Sequence, residues 1–165
     1  MNFKMKQKEF ANLLESMKTG KNCDVTLFIF KDNKIVAIAK PWYQEGLYRA
    51  PSGRPKLNEN LMDAIHREAL EETGAKIRLK RYILRISVIF QHNRQKVNWT
   101  SHVFLADYFS GNLEPIDKRE IKKVNLLTLD ELASLKGKLL KQKSGGLAYR
   151  ATLTEETIKI IKTMG

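Results

Sequence analysis

Cysteine is almost absent: Cys23 is the single thiol in 165 residues, so no disulfide can close within the chain. It opens the apolar run Val25 to Phe30 and reads as a small buried hydrophobe, with no nucleophile signature around it. Long apolar runs are missing as well. Nothing approaches the roughly 18 residues that a membrane span requires. The basic start, Met1 to Glu9, lacks the apolar core of a secretory signal. These absences predict a cytoplasmic protein with no membrane partner. Proline is scarce, and three of the four, Pro41, Pro51 and Pro55, fall in one stretch with Gly53, which marks a loop region. There is no internal repeat, low-complexity tract or long linker, so residues 1–165 read as one domain.

Acid is also in short supply. The chain carries 30 Lys and Arg against 18 Asp and Glu, a net charge of +12. Such a balance suits either an ordinary basic protein or one with a polyanionic ligand, a nucleotide or a nucleic acid. The few acids are unevenly placed. Five of them, Glu59, Asp63, Glu68, Glu71 and Glu72, crowd into residues 59–72 beside one base, Arg67. An acidic island in a basic protein points to a cation site ringed by groups that attract anions.

Periodicity supplies the elements around that island. Phe3, Phe10, Leu13, Leu14 and Met17 predict a first helix over about 3–19. Val25–Phe30 and Ile35–Ala39 flank Asp32-Asn33 and predict a hairpin. Leu61, Ile65 and Ala69 predict a helix over 60–73 that stops at Gly74. Residues 77–90 and 97–109 read as strands, 124–127 as a short strand and 130–135 as a short helix. Thr154-Glu155-Glu156 predicts the cap of a last helix over about 154–164. Strands on both sides of a central helix imply an α/β (α+β) fold, a mixed sheet between helices.

The stretch Gly53 to Ala75 carries the chemistry. On a helix, Glu68, Glu71 and Glu72 stand at i, i+3 and i+4 and share one face, next to the apolar stripe that seats the helix. Carboxylates this close repel, and a divalent cation removes the conflict; hard oxygen ligands suit magnesium or manganese. Arg67 can reach Glu71 or Glu59 and orient a ligand. A solvated acidic helix face is the alternative reading of three glutamates taken alone.

The flanking residues add to this. The segment resembles the Nudix box, G-x5-E-x7-R-E-U-x-E-E-x-G-U, where U is a bulky aliphatic residue. Gly53, Glu59, Arg67, Glu68, Glu71, Glu72 and Gly74 hold their places. The chance of seven such matches is on the order of 10⁻⁸ per start point. The two U positions are filled by the smaller Ala69 and Ala75, and Pro51-Ser52-Gly53 stands where the family more often has Pro-Gly-Gly. The likeness covers roughly residues 23–135.

The resemblance implies a Nudix-like fold and a metal-dependent hydrolase that cleaves a diphosphate linkage in a nucleoside diphosphate derivative, by attack of water on phosphorus. It implies Mg²⁺ or Mn²⁺ held by Glu68, Glu71, Glu72 and the Gly53 carbonyl, with Glu59, Arg67 and Gly74 bracing the box. A glutamate such as Glu68 takes the proton. Many members add an acid from a later loop, where Glu120 stands, with Glu114, Asp117 and Glu131 as competitors. Arg49, Arg54 and Lys40 are candidate phosphate contacts, with plain surface as the alternative for each. His66 is expected to face solvent. Trp42, Tyr43, Tyr48 and Trp99 read as core, with base stacking as the alternative for the first three. Marks of particular substrates are missing: Gln91 stands where ADP-ribose hydrolases often have proline, His92 and Asn93 where diadenosine polyphosphate hydrolases often have tyrosine, and no coenzyme A signature precedes the box. The partner is then a small phosphorylated metabolite or nucleotide. Two other readings stay open: an RNA 5′-end pyrophosphohydrolase, suggested by the charge, and a non-enzymatic nucleotide-binding module on the same fold. A homodimer, common among relatives, is compatible with all three.

Overall fold

A computed structural model describes residues 1–164. Strand β1 (Asn2–Lys4) and helix α1 (Gln7–Ser16) precede the hairpin of β2 (Cys23–Lys31) and β3 (Lys34–Ala39). A loop with the short strand β4 (Ser52–Gly53) leads into helix α2 (Leu61–Thr73). The long strands β5 (Ala75–His92) and β6 (Gln95–Gly111) follow, then β7 (Lys123–Leu127) and helices α3 (Leu129–Ser134), α4 (Lys136–Lys141) and α5 (Gly145–Thr163).

Among the described residues, seven strands make one mixed sheet in the order β1-β5-β6-β2-β3-β7, with β4 paired to β2. The β6–β2 and β1–β5 pairings are parallel and the others antiparallel. Alternate side chains of β2 serve opposite faces. Val25, Leu27 and Ile29 pack with Ala64, Ile65 and Ala69 of α2. Phe28 on the other face packs in a larger core with Phe10 of α1, Leu132 and Leu135, and Leu153 of α5. Both faces are therefore covered by helices, which is the architecture expected from the sequence. Burying Ile65 completely contributes ~2 kcal/mol to seating α2.

The ends of α2 are set by local chemistry. The Asn60 side chain accepts from the Asp63 amide at 2.9 Å, an N-cap worth ~1 kcal/mol. Gly74 closes the helix at φ +71°, and a Cβ there would lie 2.3 Å from the Glu114 carbonyl oxygen. The two small U residues, Ala69 and Ala75, are fully buried between α2 and the sheet.

Three expectations need correction. The first helix starts at Gln7, because Asn2–Lys4 pairs in parallel with Ile89–Gln91 of β5. The last helix starts at Gly145, nine residues before the Thr154 cap. Two adjacent glycines read as loop in sequence, but a carboxylate from far away satisfies the first turn: Glu9 of α1 accepts from the Gly145 and Gly146 amides at 3.1 and 3.2 Å and from the Ser144 hydroxyl. Ser144 itself caps the Leu147 amide. Helix α4 has no counterpart in the sequence reading, and Cys23 is only half-buried.

Candidate functional site

Helix α2 delivers the box acids and β4 meets them. A Cβ on Gly53 would fall 1.8 Å from Glu68 Cδ, so only glycine lets this carboxyl lie against the loop backbone. The next contact toward the interior is Glu72, whose Oε1 accepts the Ser52 amide at 2.9 Å. Ser52 in turn takes a hydrogen bond from Arg49 at its hydroxyl, 2.7 Å. The serine that departs from the family pattern thus ties the box loop to a buried guanidinium.

Arg67 is bonded to three glutamates of the box. Its Nε and Nη2 each donate to Glu59 at 2.8 Å, and Nη1 reaches Glu68 at 2.7 Å and Glu71 at 3.1 Å. The two-pronged bond from Arg67 holds Glu59 well below the usual carboxylate range, at about 2. Glu68 goes the other way, to about 7, because burial and the nearby Glu72 charge outweigh its bond to Arg67. Glu72 is also raised, by burial first; Arg49 and Lys40, 3.8 Å away, act against that rise.

A cavity of about 350 Å³ opens over these groups. Glu68, Glu72 and Gly53 form one wall, and Lys40, Arg49, Arg54 and Arg150 face it. Glu120 also lines the cavity, whereas Glu114, Asp117 and Glu131 do not. Glu120 is placed by its surroundings. The Glu71 carbonyl accepts the Ile116 and Asp117 amides, and Ile121 is fully buried. A larger groove on the same side of the molecule and a more apolar one between α3, α4 and α5 contain none of the box acids.

The other expected positions sort as follows. Arg49 is buried rather than surface, and donates to Tyr43, Ala50 and Ser52. Arg54 is partly buried and donates to the Ser16 carbonyl. His66 faces solvent. Tyr43, Tyr48 and Trp99 are core, whereas Trp42 is 72% exposed, contrary to its expected burial. Asp24, Tyr149 and Arg150 escaped the sequence reading. Asp24 is buried and accepts from Trp99 at 2.9 Å, Tyr149 at 2.9 Å, Thr26 at 3.2 Å and Ser101. A lone aspartate beside Cys23, and an arginine in a stretch to which the sequence assigned no element, gave no sequence signal.

Whether the acids suit a divalent ion is a question of donor chemistry and cost. Glu68, Glu72 and the Gly53 backbone are hard oxygen donors, and two of them are buried carboxylates whose ionisation is opposed by burial and, at Glu68, also by the Glu72 charge. A doubly charged cation relieves both penalties, so the set fits Mg²⁺ or Mn²⁺. The expected cage is not gathered, however: among the described residues no three His, Cys, Asp or Glu side chains converge. Glu71 is half-exposed and turned to Arg67.

The sequence that builds this site, with all seven Gly, Glu and Arg positions of the box in place, is matched by a family model for the NUDIX domain over residues 22–147. The chain belongs to the Nudix family. An NAD-capped RNA hydrolase NudC from Chromobacterium violaceum is 27% identical over 109 residues, 66% of this chain and 38% of that protein. The chain spans between 33% and 46% of the length of the first four curated relatives it matches. A MutT NUDIX hydrolase from Burkholderia pseudomallei is 26% identical with TM-score 0.52, covering 66% of this chain and 84% of that one. A NUDIX-family hydrolase from Clostridium perfringens, 16% identical, shares the fold with TM-score 0.59 over 88% of this chain and 99% of its own.

Proposed function

We propose that this Nudix protein is a divalent-metal-dependent pyrophosphohydrolase that cleaves the diphosphate linkage of a nucleoside diphosphate derivative. The observation that carries the reading is the cavity that sets Glu68, Glu72 and Glu120 against Lys40, Arg49, Arg54 and Arg150. Carboxylates to hold a cation and bases to hold phosphate oxygens meet in one space, which is what attack on phosphorus requires. Mg²⁺ or Mn²⁺ bound there neutralises phosphate charge and activates water. Glu72 and the Gly53 carbonyl would hold the ion, with Glu71 as a further candidate oxygen donor. Glu68, whose pKa is raised to about 7 by burial and the Glu72 charge, would as a carboxylate take the proton of the attacking water. Glu120 supplies a further acid from the cavity wall. Arg67 and Glu59 keep α2 in register with the loop and touch no substrate.

Magnesium-dependent release of a nucleoside monophosphate from nucleotide sugars, ADP-ribose or dinucleoside polyphosphates is the expected result. Glu72→Gln should lower kcat by at least about 10³-fold, the scale of losing a principal electrostatic element. Full activity in Glu71→Gln/Glu72→Gln sinks the reading.

A second reading, hydrolysis at an RNA 5′ end, is supported by the NudC resemblance and by Lys76, Arg78, Lys80, Arg81 and Arg85, all exposed along β5. It requires capped or triphosphorylated RNA to bind with a steep salt dependence. Binding that is indifferent to salt removes it.

A further inference from the structure

Building on the hydrolase reading, we propose that α5 supplies the diphosphate clamp, Arg150, and that Trp42 is the platform on which the substrate's nucleoside base stacks. The acid cavity does not end at its basic wall. A second compartment of about 240 Å³ shares Leu13, Asp24, Lys40, Arg49, Trp99 and Arg150 with it, so the two adjoin along a common wall. The first compartment is acidic and basic. The second is walled by Trp42, Tyr43, Phe90, Trp99 and Tyr149. Aromatic walls of this kind suit a flat ring and disfavour phosphate. A ligand that fills both must be anionic at one end and aromatic at the other, which is the description of a nucleoside diphosphate.

Arg150 stands at the junction. It donates to Thr26 Oγ1 at 3.1 Å and lies 3.4 Å from Asp24. Asp24 already accepts from Trp99, Tyr149, Ser101 and Thr26, about as many bonds as a carboxylate's lone pairs allow. Most of the five N–H donors of the Arg150 guanidinium are therefore uncommitted, while its side chain is only 18% exposed. The other cations are less available. Arg49 gives three hydrogen bonds to protein, Lys40 leans on Glu72, and Arg54 lines the acid compartment alone. Trp42 is the outward aromatic of the second compartment, with Lys40 Nζ 5.6 Å from its ring centroid. Arg150 lies beyond residues 22–147, and the first turn of α5 is tied to α1 by the Glu9 contacts.

The test is equilibrium binding of adenosine, AMP and ADP, with a uridine series in parallel, by calorimetry in EDTA so that nothing is turned over. The wild-type protein should bind ADP at least about tenfold tighter than adenosine. Arg150→Met should erase that advantage and leave adenosine within about twofold, while Arg150→Lys retains part of it. Trp42→Ala should weaken adenosine and ADP alike by about tenfold, the scale of one base–aromatic stack, and Trp42→Phe should recover most of it. A merely structural Arg150 would lower adenosine and ADP affinity together and depress Tm, and that outcome overturns the clamp. Trp42→Ala binding as tightly as wild type overturns the platform. The underlying hydrolase reading fails separately: if ADP binding depends on Arg150 but wild-type protein with Mg²⁺ cleaves no diphosphate, the subsite stands and the hydrolase falls. If Glu72→Gln abolishes turnover while Arg150→Met binds normally, the reverse holds.

Discussion

Gly53→Ala puts the whole geometry of the box to one measurement. An added Cβ would sit 1.8 Å from Glu68 Cδ and 2.1 and 2.2 Å from its two oxygens. Ordinary carbon contacts begin near 3.5 Å, so the carboxyl must retreat by about 2 Å. The obstacle is the end of a flexible side chain rather than backbone, and the fold should survive. We expect a stability loss of ~1 kcal/mol, or roughly 2–4 °C in Tm for a chain of this length. Catalysis has no such slack. Misplacing a reacting group by 1 Å is enough to cost ~10²-fold, so kcat should fall by about that much or more, equivalent to ~2.7 kcal/mol of barrier. Manganese affinity, read by calorimetry, should fall with it. The assay pairs steady-state kinetics with thermal melts, and Gly53→Ala/Glu68→Ala supplies the control: removing the clashing carboxyl should return Tm to that of Glu68→Ala without restoring activity. If Gly53→Ala kept wild-type kcat and metal affinity within twofold, the contact between β4 and Glu68 would not be part of the working site.

Other expectations follow from the ion pairs. Glu59 sits near 2 in the folded protein against an ordinary 4.5, so its bond to Arg67 stabilises the fold fully above about pH 4.5 and is lost as pH falls toward 2. After discount for its position near solvent this is worth ~1–2 kcal/mol. Urea unfolding at pH 6 and pH 3 should show a smaller acid loss in Glu59→Gln than in wild type; equal losses would contradict the assignment. Asp24→Ala leaves Trp99 Nε1, the Tyr149 hydroxyl and Ser101 without their acceptor in a buried place, and Arg150 without its ion-pair partner. It should cost ~3–5 kcal/mol in urea unfolding, and a loss below ~1 kcal/mol would show that the network carries little stability.

The hairpin and α2 were legible because their information is local. Asp32, at φ 57°, takes the turn that Asp-Asn announces between two β-branched runs, and Asn60 and Gly74 punctuate α2 where its apolar period begins and ends. Elsewhere local signals misled. Residues 2–4 have an apolar Phe3 at helical spacing from Phe10, but the free edge of β5 captures them as a strand. Thr154-Glu155-Glu156 has the form of a cap, yet lies in mid-helix, because Glu9 and Ser144 start α5 earlier.

The site divides along the same line. Residue types and spacing along one helix are properties of the chain, so Glu59, Arg67, Glu68, Glu71 and Glu72 could be read as a set before any fold was known. The sequence alone also determined the family to which the chain belongs. Tertiary structure decided which acids look into the cavity: Glu68 and Glu72 do, and Glu120 joins them only because Ile121 is buried and the Glu71 carbonyl holds the loop before it. It also decided that Arg49 is buried, that Trp42 is not, and that Asp24 on β2 meets Tyr149 and Arg150 on α5. Those partners stand about 125 residues apart in the chain. Periodicity reports the environment of a side chain along its own element, whereas a contact across such a separation exists only once the sheet and its covering helices are packed.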